Sequence, residues 1–205
     1  LIAMKQQAGR PQDVLDIAGL GRISVSCVDA ANPCVFVAAG ELGKSGVELP
    51  TELDADQDFL EHMERIRCAA SIRMGLAADP AAAARLVSVP KVAMLCQSKA
   101  APLLSGRTLA ASEVDICVRM ISVGQPHRAV PITGAICLAV AARVPGSIAH
   151  NLCAAASGPM RIGHASGTTV VDAAVAAGDS DGAVRAEYGA VYRTARRLFE
   201  GKLVL

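Results

Sequence analysis

Residues 127–148 read HRAVPITGAICLAVAARVPGSI, and the fold turns on this stretch. From Ala135 to Ala142 every side chain is apolar, the longest such run in the chain. A helix that is apolar all round belongs inside a core. Thr133-Gly134 opens this helix, with Thr133 its natural N-cap, and Pro145-Gly146 stops it near Arg143. Free backbone N–H groups at Pro131-Ile-Thr-Gly-Ala135, at the positive end of the helix dipole, suit a carboxylate or phosphate. Taken alone the motif is more often an ordinary capped helix. His127 and Arg128, in the loop just ahead, are placed to reach an anion held there, or else form a solvated pair.

Outward from this helix the periodicity changes to that of strands. In residues 22–28, Ile23, Val25 and Cys27 alternate with Ser24 and Ser26, and a second strand over 34–38 follows a tight connection at Asn32-Pro33. Phe59, Met63, Ile66, Ala70 and Met74 recur at helical steps, which predicts one helix over 51–75, opened by Thr51 or Asp54 and closed by Gly75. Its charged face reads as solvated. Residues 90–96 and 114–121 read as strands, and short strands flank 157–159 and 163–167 before a final alternating stretch from Val184. Several strands around two helices make an α+β protein with a mixed or antiparallel sheet.

Composition narrows the function classes. The chain has 205 residues, a formal charge of +1 and no cluster of Lys or Arg, which argues against nucleic acid and anionic membrane surfaces as partners. The longest apolar run falls far short of the roughly 20 residues that span a bilayer. Seven cysteines without a CxxC pair read as free thiols in a reducing, cytoplasmic setting. His62, His127, His150 and His164 are too dispersed for a zinc pattern, so no metal is expected. No GxSxG, P-loop, HExxH or paired acidic motif is present.

Two further places carry polar chemistry. Gly163-His-Ala-Ser-Gly167 offers His164, Ser166 and the freedom of Gly167 to an anion, or forms a plain turn. Asn32 either aims its amide at a ligand or satisfies its own turn.

Five segments in order, VSCVDAANPCVFV (25–37), LVSVPKVAMLC (86–96), HRAVPITGAICLAVAARVPGSI (127–148), RIGHASG (161–167) and RTARRLFEG (193–201), resemble successive blocks of the PrpF family. The resemblance covers almost the whole chain. It implies a diaminopimelate-epimerase-like fold, with a sheet curled around a central helix in each of two pseudo-symmetric halves and substrate held between them. It also implies 1,3-proton shifts or cis-trans isomerisation of acids such as 2-methylaconitate, 3-methylitaconate and 4-oxalomesaconate, with no cofactor. Carried over residue by residue, the substrate-binding set is Asn32, His127, Arg128, Thr133, Gly134, Ala135, His164, Ser166 and Gly167. The epimerases place a catalytic Cys directly before the Thr-Gly-Ala turn. Pro131-Ile132 stands there instead, which disfavours a two-cysteine racemase mechanism.

In that family the proposed acid and base lie in the N-terminal half. The chain opens on Leu1, so the resemblance implies that it is the C-terminal half, with that other half as its partner. Residues 1–21 are then expected to be the tail of a linker, 22–195 the domain, and 196–205 a segment returning to the missing half. The catalytic residues are unassigned within this chain. A non-catalytic accessory or binding protein of the same fold is the competing reading. The oligomeric state, with a homodimer among the options, stays open.

Overall fold

The computed structural model describes residues 10–155, 157–178, 184–193 and 200–201. In chain order its elements are β1 (Asp13–Ile17), β2 (Gly21–Ala30), β3 (Asn32–Ala38), α1 (Pro50–Asp54), α2 (Gln57–Arg73), α3 (Pro80–Arg85), β4 (Lys91–Gln97), β5 (Ala101–Pro102), β6 (Thr108–Leu109), β7 (Ile116–Ser122), β8 (Gln125–Pro126), α4 (Ile132–Ala142), α5 (Ile148–Leu152), β9 (Met160–His164), β10 (Gly167–Ala177) and β11 (Val184–Tyr192).

One mixed sheet runs β1-β2-β3-β4-β7-β9-β10-β11, with β8 paired to β7. The β3–β4 and β7–β9 pairs are parallel and the others antiparallel. Helix α4 packs against β2 and β3 near one end of this order and against β10 and β11 at the other. A sheet whose two ends touch one helix must curl around it, and that is the expected α+β architecture. The physical cause is the composition of α4, in which every residue from Cys137 to Ala142 is buried. Its small side chains let strands approach from several sides and join Phe36, Leu95, Met120, Ile162 and Val171 in one cluster. On the opposite face α2 covers a second cluster through Phe59, Met63, Ile66 and Ala70.

Several expectations change. The helical pattern over 51–75 resolves into α1 and α2, because the Asp56 side chain accepts a hydrogen bond from Phe59 N at 2.9 Å and starts a new helix. Arg67, on the supposedly solvated face, is buried and donates to the carbonyls of Ala83, Leu86 and Val89. Residues 13–17, inside the stretch read as linker, form β1 against β2. Alternation hides this strand, since Asp13 points inward and Val14 outward. Arg73 compensates the inward carboxylate at 2.6 Å. Of the segment 196–205, only Glu200 and Gly201 lie within the described residues.

Among the described residues no helix is long and apolar enough to cross a membrane, and no three His, Cys, Asp or Glu side chains cluster as metal ligands do.

Candidate functional site

The N-terminus of α4 is the centre of the site, though its cap differs from expectation. Pro131 (φ −61°, ψ 146°) is the N-cap, and Thr133 lies exposed inside the first turn. Proline sets this geometry itself, because its ring fixes φ and it carries no N–H to satisfy. Its carbonyl accepts from Ala135 N at 2.8 Å. No side chain caps the helix, so the first N–H groups are left for water or a ligand. Gly134 and Ala135 are buried beneath them. A Cβ on Gly134 would lie 2.6 Å from Met120 Sδ, so only glycine seats this turn so closely on β7.

The strand ends bring further polar groups to the same end of the sheet. The tight connection expected at Asn32-Pro33 lies one residue earlier, and both residues are already paired in the strand. The hairpin tip is Ala31 (φ 67°), and Asn32 already pairs with Ala30 as the first residue of β3. Its Oδ1 is buried without a hydrogen-bond partner among the described residues. Cys34, two residues on, is opposite Lys91 in the parallel β3–β4 register. Strand alternation then places Asn32 with Cys34 and Phe36, and Lys91 with Ala93 and Leu95, on the face that meets α4. Ser122 shares that face with Met120 and Val118, and its hydroxyl accepts from Lys91 Nζ at 2.7 Å.

Lys91 is half-buried, and no carboxylate among the described residues pairs with it. His127 follows β8, its N–H bonded to Met120 O at 2.8 Å. Its Nε2 is buried without a hydrogen-bond partner among the described residues. Burial first, and then the Lys91 charge, push the imidazole below its ordinary range, so the ring is neutral near pH 7. A lone cation, a neutral imidazole, an amide and an uncapped helix N-terminus thus converge. Sequence reasoning missed Lys91 and Ser122. The available signal was parity: a lysine in step with Ala93 and Leu95 is a cation on a core-facing register.

The β9–β10 hairpin presents the remaining expected residues differently. His164 is buried, and its ring serves the hairpin itself: Nδ1 accepts from Ser166 N at 3.3 Å and Nε2 faces Thr169 Oγ1 at 3.0 Å. Burial, then the charges of Arg119 and Arg193, lower its pKa to about 4. Gly167 (φ 132°) provides the turn that brings these atoms together. Ser166 Oγ donates to Arg128 O at 2.9 Å and ties the hairpin to the loop before α4. Arg128 itself is exposed, with no ion-pair partner among the described residues. A shallow concavity lined by Ala129, His164, Thr168, Thr169, Tyr192 and Arg193 lies beside it. Asn32, His127 and the α4 turn therefore form one group, and His164, Ser166 and Gly167 brace its outer edge.

Cys137 is buried within α4 and donates to Val28 O at 3.3 Å, as a core thiol does. Neither it nor Cys34, whose thiol is held protonated by its contact with Cys137 and by burial, offers a nucleophile to the site.

Comparison with known proteins bears on the fold and the family. Over 195 residues the chain is 35% identical to a 2-methyl-aconitate isomerase of Shewanella oneidensis, covering 94% of this chain and 48% of that protein. It is 32% identical over 197 residues to a 3-methylitaconate isomerase of Eubacterium barkeri, covering 94% and 50%. A crystal structure of methylitaconate-delta-isomerase superposes with a TM-score of 0.83 at 32% identity, over 96% of this chain and 50% of that one. The chain thus spans about half the length of the relatives it matches, and the fold is the expected diaminopimelate-epimerase-like one. The PrpF protein model matches residues 7–205, and with these likenesses it establishes that the chain belongs to the PrpF family.

Proposed function

We propose that this chain is the substrate-carboxylate-binding half of a cofactor-independent isomerase that carries out a 1,3-proton shift or cis-trans isomerisation on small unsaturated di- or tricarboxylic acids of the 2-methylaconitate or 4-oxalomesaconate type. The carrying observation is Lys91, a half-buried cation whose one hydrogen-bond partner among the described residues is a neutral hydroxyl, on the same sheet face and end as the uncapped α4 N-terminus. Taking a proton from carbon beside a carboxylate-bearing double bond builds negative charge on a dienolate. Fixed N–H donors and a placed ammonium stabilise that charge without having to reorganise. The Asn32 amide, through its N–H groups, and the His127 ring are the further groups placed to orient the acid.

The acid and base are assigned to residues outside this chain, as the family resemblance implies, and the Cys34 thiol on the α4 face is held protonated by its contact with Cys137 and by burial. That same observation supports the second reading, an accessory or binding protein that holds polycarboxylates without turning them over.

Proton exchange in D2O, followed by NMR with methylaconitate and with oxalomesaconate, tests both. Exchange by a protein containing this chain and its N-terminal partner half, but not by the chain alone, is the expected result. Exchange by the chain alone refutes the division of labour. Binding without exchange in either form favours the accessory role.

A further inference from the structure

Away from the α4 end of the sheet, two cysteines face each other across the middle of it. Cys96 on β4 and Cys117 on β7 are direct partners in the antiparallel register. Opposed Cα atoms in such a ladder lie about 4.5 or 5.5 Å apart depending on the pair type, and both values fall within the roughly 4.4–6.8 Å that a disulfide spans. Their side chains lie close enough to couple electrostatically. Cys117 is fully buried, whereas Cys96 is half-buried. Cys96 lines an open cavity with Ala38, Gly40, Gln97, Lys99 and Leu152.

We propose that Cys96 and Cys117 form a reversible dithiol–disulfide modification site, in which Cys96 meets a hydroperoxide entering through this cavity and Cys117 closes the bond. The site is independent of polycarboxylate binding. The contact with Cys96 lowers the Cys117 pKa, against burial, with support from the charges of Arg119 and Lys99. The pair therefore shares one proton. As Cys96 sulfur attacks the terminal oxygen of the hydroperoxide, Cys117 thiolate takes the Cys96 proton. The O–O bond breaks, alkoxide or hydroxide leaves, and Cys96 becomes a sulfenic acid. Cys117 sulfur then attacks Cys96 sulfur, the S–O bond breaks, and hydroxide departs with the Cys117 proton as water. Two electrons pass from the two sulfurs to the peroxide, and a small thiol reductant reverses the change.

The protein carries its own control. Cys34 and Cys137 also contact each other, but both are fully buried. Gly46 packs directly on the Cys96 side chain, where a Cβ would lie 2.7 Å from both Cys96 Cβ and Cys96 Sγ, so only glycine leaves the sulfur its room.

The test is hydrogen peroxide on the complete native chain, followed by alkylation and non-reducing peptide mapping. The expected product is a Cys96–Cys117 link, removed by dithiothreitol, with Cys34 and Cys137 alkylated only after denaturation. In Cys117→Ser the reaction of Cys96 slows about tenfold or more as its thiolate partner is lost, and the sulfenic acid persists for trapping by a 1,3-dione. In Cys96→Ser the buried Cys117 does not react. Over-oxidation of Cys96 with Cys117 still free, a Cys34–Cys137 link, or a wild-type rate in Cys117→Ser would each overturn the proposal.

Discussion

Replacing Lys91 by methionine keeps most of the side chain's length and removes its charge. In the folded protein its ammonium makes one hydrogen bond, to Ser122 Oγ, and no ion pair with the described residues. The cost to stability is therefore about 0.5–1.5 kcal/mol, offset in part by no longer burying a cation. The cost to substrate is larger, because hydrogen bonds to charged groups contribute about 1.5–3 kcal/mol. At about 1.4 kcal/mol per tenfold, kcat/KM for a polycarboxylate should fall about ten- to hundredfold. The assay is the change in ultraviolet absorbance as the conjugated acid isomerises, run on a protein that also contains the N-terminal half. An NMR titration gives a second readout. Lys91 helps depress the His127 pKa, so Lys91→Met should raise it, while burial still holds it below the ordinary value. An unchanged kcat/KM together with an unmoved His127 titration would refute the placement of Lys91 in the site.

Three further outcomes are expected. His164 has a folded pKa of about 4 against an ordinary 6.5, so the unfolded chain binds more protons between these values. Its contribution to stability is complete above pH 6.5 and is lost as pH falls toward 4, and His164→Gln should flatten denaturant-measured stability across that window. Asp115 accepts from Arg161 N at 2.7 Å and from its guanidinium, contacts that lower its carboxyl pKa. Asp115→Asn should cost about 1–2 kcal/mol in urea unfolding at pH 7, and the difference should shrink as pH falls below the ordinary carboxyl value of 3.8. Arg119, 1% exposed, donates to the carbonyls of Val47, Glu48 and Val118. Arg119→Met should destabilise the fold by about 2–3 kcal/mol and speed hydrogen exchange in the 46–49 loop.

The apolar run after Pro131, the alternation in β2 and β11 and the short apolar run of β4 were legible in the sequence, because helix and strand periods are local properties. Other features were hidden for identifiable reasons. β1 escaped notice because its inward Asp13 becomes tolerable only when Arg73 arrives from α2. In β7 the residues that alternate with Ile116, Val118 and Met120, Cys117 and Arg119, are buried like the rest, since the sheet is covered on both faces there. Thr133 looked like a cap because Ser and Thr so often are, yet the rigid φ of Pro131 starts the helix two residues earlier.

The site divides along the same line. Residue identity alone marked Asn32, His127 and the Thr133-Gly134-Ala135 turn as candidates, since amides, imidazoles and helix starts carry their chemistry with them. That Lys91 meets no carboxylate and that Asn32 and His127 keep buried atoms without a partner, among the described residues, depend on how distant segments pack, whereas His164 is occupied by Ser166 and Thr169 of its own hairpin. Charge compensation and desolvation are pairwise properties of neighbours in space, and neighbours in space exist only once the sheet has curled around α4.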